Sequence, residues 1–175
     1  MKKSLKVRGV DPSAPYKDMA RLVIRDRMRR VMDLSKRYLK THDEEDLHQL
    51  RIAFRRLRYP LECFVDCFPR RMFNTVLDRI DLLQNATGQV RDLDVMLDLL
   101  RTRANGALVA YRAGEPLEAV GGESESAGHI LDPALLASIE SLEAERAVRV
   151  AALEGALEQV LQSGGIKRFR KYLKG

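Results

Sequence analysis

The chain has 175 residues, 45% of them apolar and 32% charged, which suits one soluble helical domain with a real core. Aromatics make up 6% and Trp is absent, so stacking platforms for single-stranded nucleic acid are scarce. No apolar run approaches the ~18 residues of a membrane span, and the start (Met1 to Pro15) has no apolar leader core. No membrane association is therefore expected, and the cytoplasm is the expected address.

The net charge of +6 hides a division. Residues 1–71 carry 19 Lys/Arg against 10 Asp/Glu, residues 72–165 carry 7 against 15, and residues 166–175 carry 5 against none. Two basic ends flank an acidic body, the pattern of a localised anion site. Arg outnumbers Lys, 22 to 9, and guanidinium can grip phosphate through two parallel hydrogen bonds.

Residues 1–15 read as an irregular basic lead-in, with Gly9, Pro12 and Pro15 as breakers. A helix is predicted from Tyr16 to Lys40, with Ala20, Ile24, Met28, Val31, Ser35 and Tyr38 on its core face. Thr41 to Glu44 form a turn in which Asp43 is the candidate N-cap. The second helix runs from Glu44 to Phe68, with a bend near Arg56 because Pro60 removes a backbone donor, and Pro69 ends it. Cys63 and Cys67 lie one turn apart and read as buried reduced thiols.

A third helical stretch covers 71–113, with a kink or break expected at Gly88. Residues 114–131 read as a flexible loop without periodicity. Asp132-Pro133 opens a fourth helix as N-cap and N1, and Gly164-Gly165 stops it near Ser163. Ile166 to Leu173 is a short basic amphipathic end. No strand pattern occurs, so the fold class expected is all-α, an antiparallel four-helix bundle occupying residues 16–175.

The most informative stretch is Leu47 to Arg58. At ~100° per residue, His48, Arg51, Arg55 and Arg58 fall in a sector roughly 80° wide. Leu50, Phe54, Leu57, Leu61 and Phe64 fall on the roughly opposite side, and Arg56 sits on a flank. The row repels itself, and no acid lies between Asp46 and Glu62 to relieve it, so an anionic ligand is one solution and a solvated basic face the other. The first helix carries a second strip, Arg21, Arg25, Arg29, Lys36 and Lys40, interrupted by Asp18, Asp26 and Asp33. The tail Lys167, Arg168, Phe169, Arg170, Lys171 either closes over an anion or is a solvated end. Asp92 and Asp94 after Gly88 read as a cap for a restarted helix and a means of orienting an Arg. Nothing marks His42 or His129 as functional.

The motif His48-x-x-Arg51-x-x-x-Arg55-Arg56-x-Arg58-Tyr59, followed by Gly88-x-x-Arg91-Asp92-x-Asp94-Val95, resembles the CHAD family, the conserved histidine α-helical domain. The closing Lys167 to Leu173 is similar to the end of a half-unit of that family, and the resemblance covers about residues 16–173. It implies a helical domain that binds inorganic polyphosphate in a basic cavity, with His48, Arg51, Arg55, Arg56, Arg58 and Arg91 as ligand contacts. Arg21, Arg25, Arg29, Lys167, Arg168 and Arg170 extend that site on the strength of their charge alone. The family usually carries two such halves in one chain, and this sequence resembles one, so a homodimer completing the cavity is expected. Some members are fused to a triphosphatase domain with a Glu-x-Glu-x-Lys motif, whereas Glu123-Ser124-Glu125-Ser126-Ala127 lacks the lysine.

The expected function is thus non-catalytic binding of polyphosphate, with polyphosphate granules as a conceivable setting and with no catalytic residue, metal or cofactor. His48 is the member of the row whose side-chain type titrates near neutrality, so tighter binding at pH 6 than at pH 8 is expected. One rival is a nucleic-acid binder, although recognised motifs are missing. Another is a helical scaffold that docks an acidic protein. A phosphoanhydride-cleaving enzyme would need a glycine-rich phosphate loop or a carboxylate set for Mg²⁺, and neither is evident.

Overall fold

The computed structural model describes residues 9, 11, 13–113 and 133–174, with the backbone alone described for 106–113. Among the described residues the chain forms α1 (Tyr16–Thr41), α2 (Glu44–Cys63), a 3-10 turn (Val65–Cys67), α3 (Arg70–Ala113), α4 (Pro133–Gln162) and α5 (Gly164–Tyr172), and no strand. The expected loop 114–131, Asp132 and His129 lie outside the described residues.

The core face expected for α1 is buried throughout: Ala20, Ile24, Met28, Val31, Ser35 and Tyr38 are all at most 2% exposed. His42 then adopts a left-handed conformation (φ 51°, ψ 23°), and its N–H donates to Tyr38 O, closing the helix. Asp43 starts the next helix, its carboxylate accepting from the backbone of Glu45 and Asp46 at 2.9 and 3.1 Å. The two-residue turn lets α2 fold back on α1. Tyr16 at the start of α1 donates to Cys63 O at the end of α2 (3.2 Å), and Arg37 near the end of α1 donates to Asp46 at the start of α2 (2.8 Å).

α2 passes through Pro60 and stops at Cys63, five residues short of the expected Phe68. A residue before proline is pushed out of the α region, so the helix does not extend to Phe68. Phe68 is extended (φ −128°, ψ 152°), and the chain between tightens into a 3-10 turn. Phe64 consequently leaves the core row and is half-buried, its ring 5.2 Å from that of Tyr16. Cys67 is buried, but Cys63 is exposed, correcting the expectation that both thiols are enclosed.

α3 runs unbroken through Gly88. A glycine in a helix interior costs only about 1 kcal/mol relative to Ala, and the buried residues on either side of it, Leu83, Val90 and Leu93, favour continuation. The expectation that Asp92 or Asp94 caps a restarted helix is therefore overturned. Gly164-Gly165 also behaves differently from expectation: the interruption falls on extended Ser163 (ψ 124°), and both glycines belong to the first turn of α5.

The chain divides into two compact units. The first comprises residues 1–88 and 152–175, and its core joins Ile24 and Met28, Leu50, Phe54 and Leu57, Phe73 and Ile80, Leu153 and Leu157, and Ile166 and Phe169. Phe68 anchors α5 there, with ring centroids 5.6 Å from Phe169 and 6.1 Å from Tyr172. The second unit comprises residues 89–151 of α3 and α4. Its helices are tied by Arg149 to Gln89 (3.2 Å), Arg101 to Glu143 (2.7 Å) and Arg146 to Asp94.

Candidate anion-binding site

α2 owes its two faces to its sequence period. Leu47, Leu50, Phe54, Leu57 and Leu61 are buried, which turns His48, Arg51, Arg55 and Arg58 outward. His48, Arg51 and Arg58 are half-buried, whereas Arg55 and Arg56 are exposed. Among the described residues, no carboxylate forms an ion pair with Arg51, Arg55 or Arg56.

Arg58 differs. Its Nε donates to Glu62 Oε1 at 2.7 Å and lies 3.4 Å from Asp81 Oδ1 of α3. The hydrogen bond to Glu62 and then the charge of Asp81 raise its pKa above the ordinary guanidinium value, so it remains a cation throughout the physiological range. Any ligand that uses Arg58 must compete with two carboxylates. The signal for Glu62 was present in the sequence as an i,i+4 spacing. Asp81, on another helix, carried no such signal.

Arg91 belongs to the second unit and is half-buried there. Beside it Asp94 is 9% exposed and holds Arg146, so the expected role of orienting an arginine is filled by Asp94, while Asp92 is exposed.

The basic strip of α1 meets the tail in a separate place. Arg25 and Arg29 of α1 line a cleft of about 620 Å³ with Arg170 and Lys174 at the end of the chain, together with Leu22, Asp26, Met28 and Leu173. Arg21 lies one turn before Arg25, its Cζ 5.0 Å over the Tyr172 ring. Lys167 and Arg168 are exposed and do not line the cleft. Lys174, in the turn just beyond the end of α5, was missed in the sequence. At ~100° per residue, Arg25 is about 180° around α1 from Tyr16, which contacts α2. The cleft and the α2 row are therefore two surfaces.

His42, unmarked in the sequence, has its Nδ1 2.6 Å from Glu154 Oε1, linking the α1–α2 turn to α4. Among the described residues no three His, Cys, Asp or Glu side chains gather as a metal site would, and no helix is long and apolar enough to cross a membrane.

The family model described as CHAD domain matches residues 22–174, nearly the whole chain. The chain belongs to the CHAD domain family. No curated protein and no solved structure matches it significantly. For this CHAD domain, the α2 motif thus coincides with an outward cationic row, and the 88–95 motif lies on an uninterrupted helix.

Proposed function

We propose that this CHAD domain binds inorganic polyphosphate through the α2 row, without catalysis, using His48, Arg51, Arg55, Arg56 and Arg58. The observation that carries the reading is the state of Arg51 and Arg55. They stand one turn apart, away from the core, and have no carboxylate partner among the described residues. Arg21, Arg29, Arg37, Arg101 and Arg149 each sit within ion-pair distance of an acid. A chain of phosphates would supply the missing counter-charge through charge-assisted hydrogen bonds. Family membership supports the same ligand class.

In this reading the helices form an antiparallel four-helix bundle, of which the Tyr16–Cys63 and Arg37–Asp46 contacts support the α1–α2 pair alone. A second copy completes the binding cavity. Val95, Met96 and Leu99, about half or more exposed on one face of α3, support a partner surface.

The test is titration of labelled long-chain polyphosphate into wild type and Arg51→Ala/Arg55→Ala at two salt concentrations, with duplex DNA as competitor and phosphate release monitored. Binding that weakens with salt, survives DNA and is lost in a folded variant supports the reading. Equal displacement by DNA favours a nucleic-acid binder. Release of phosphate would show an enzyme.

A further inference from the structure

In the second unit α3 is tied to α4 through Asp94 and Arg101, and its buried residues there, Val90, Leu93, Leu97 and Ala104, share that side of the helix. At ~100° per residue, Asp92, Val95, Met96, Leu99 and Arg103 fall in a sector roughly 100° wide on the far side. Val95, Met96 and Leu99 are 51%, 51% and 69% exposed, so an apolar patch faces water. Covering it would release its hydration shell.

The patch is flanked along the helix by one charge of each sign. Asp92 stands one turn before it and Arg103 one turn after it. Both are exposed, and neither has an ion-pair partner among the described residues. Asp98 falls about 60° outside the sector. Such a face is complementary to its own reverse. When two copies of α3 pack antiparallel about a two-fold axis midway between residues 97 and 98, Asp92 of each copy meets Arg103 of the other. Met96 then meets Leu99 of the second copy. A parallel pair would set Asp92 against Asp92 and Arg103 against Arg103, which repel. The linker 114–131 fits the face less well. It carries four Glu and no Lys or Arg, so it could answer Arg103 but would leave Asp92 without a cation.

We propose that the face of α3 between Asp92 and Arg103 is a self-association surface, on which a second copy of the chain docks its own α3 in the antiparallel direction. The second copy of the proposed function thereby gains a helix, a direction and a register; the surface rests on that reading for its partner and not for its ligand. Each copy presents the same patch, as a closed two-fold dimer requires. One pair of helices is small for a permanent interface, so the dimer is reversible and forms in the micromolar range.

The experiment is sedimentation equilibrium of the full chain, without polyphosphate, over about a hundredfold range of concentration. Monomer–dimer behaviour is expected. Leu99→Glu, with helicity and Tm checked, is expected to weaken the dimer about tenfold or more. Asp92→Arg and Arg103→Asp each set like charges opposite one another twice, and each is expected to weaken it about threefold or more. The double reversal Asp92→Arg/Arg103→Asp is expected to return to within about twofold of wild type. A monomer at every concentration, a dimer indifferent to Leu99→Glu, or a double reversal no tighter than the single changes would overturn the proposal. An intact dimer in Arg51→Ala/Arg55→Ala is expected, and supports the surface whether or not that variant binds polyphosphate. Undiminished polyphosphate binding by monomeric Leu99→Glu would instead overturn the completed cavity of the proposed function and leave the surface supported.

Discussion

Asp81 Oδ1 lies 3.4 Å from Arg58 Nε, and this oxygen is buried without making a hydrogen bond. The contact joins α3 to the cationic row of α2 and places a negative charge beside the proposed path of a polyanion. Asp81→Asn removes that charge at nearly constant volume. A partly exposed ion pair contributes little, so polyphosphate affinity should rise only about two- to fivefold. Titration at fixed salt measures it, and unchanged or weaker binding would take Arg58 out of the ligand's path.

Guanidinium geometry can be separated from charge at Arg51 and Arg55. The double Lys variant keeps both charges but loses the planar fork. Polyphosphate affinity should fall about tenfold in it and about a hundredfold in the double Ala variant, as expected for charge-assisted bonds of ~1.5–3 kcal/mol. Equal affinity of the Lys variant and wild type would favour a docking face read by charge alone. The slope of log affinity against log salt should become shallower in the Ala variant and stay constant in the Lys variant.

The pH dependence has a definite sign. Arg58, raised above its ordinary value, keeps its full charge below that value and loses it only in strong alkali, so it adds nothing to the profile between pH 6 and 8. Affinity that depends on Arg58 should therefore be equal at pH 6 and pH 8. His48→Ala should weaken polyphosphate binding severalfold at constant pH, and unchanged affinity would remove His48 from the site.

Gly88 offers a test of whether its position is structural. A Cβ built there meets nothing within 4 Å, and the helix is continuous. Gly88→Ala should raise stability by about 0.5–1 kcal/mol, measured by chemical denaturation. If polyphosphate binding weakens while stability rises, the glycine serves ligand approach.

Phe169 fixes α5 to the first unit, with 0% exposure and a ring 5.6 Å from Phe68. Phe169→Ala should cost about 3–5 kcal/mol. Denaturation monitored by circular dichroism measures the loss.

The helices and their faces were legible because they obey local rules. Six α1 positions at helical spacing are all buried, and Asp43 caps α2 as its residue type suggests. The misread boundaries are places where a tertiary or neighbouring constraint overrode a local one. Pro69 kept Phe68 before it extended and out of the helix, whereas Gly88 failed to break α3 between buried Leu83 and Val90. The α2 row was visible from period alone. Asp81 and the meeting of Arg25 with Arg170 were not, since residues far apart in sequence leave no local trace of their contact.

The distribution of paired guanidiniums has a consequence for how the molecule is handled. Arg21, Arg29, Arg37, Arg58, Arg101, Arg146 and Arg149 each have an acidic neighbour within ion-pair distance. At least seven of the 31 Lys and Arg side chains thus have an acid within ion-pair distance. Retention on a cation-exchange resin should follow the cations without such a neighbour, Arg51, Arg55 and Arg56 of α2 among them. Adsorption to such a resin would then hold the molecule by preferred faces rather than at random, giving an oriented layer.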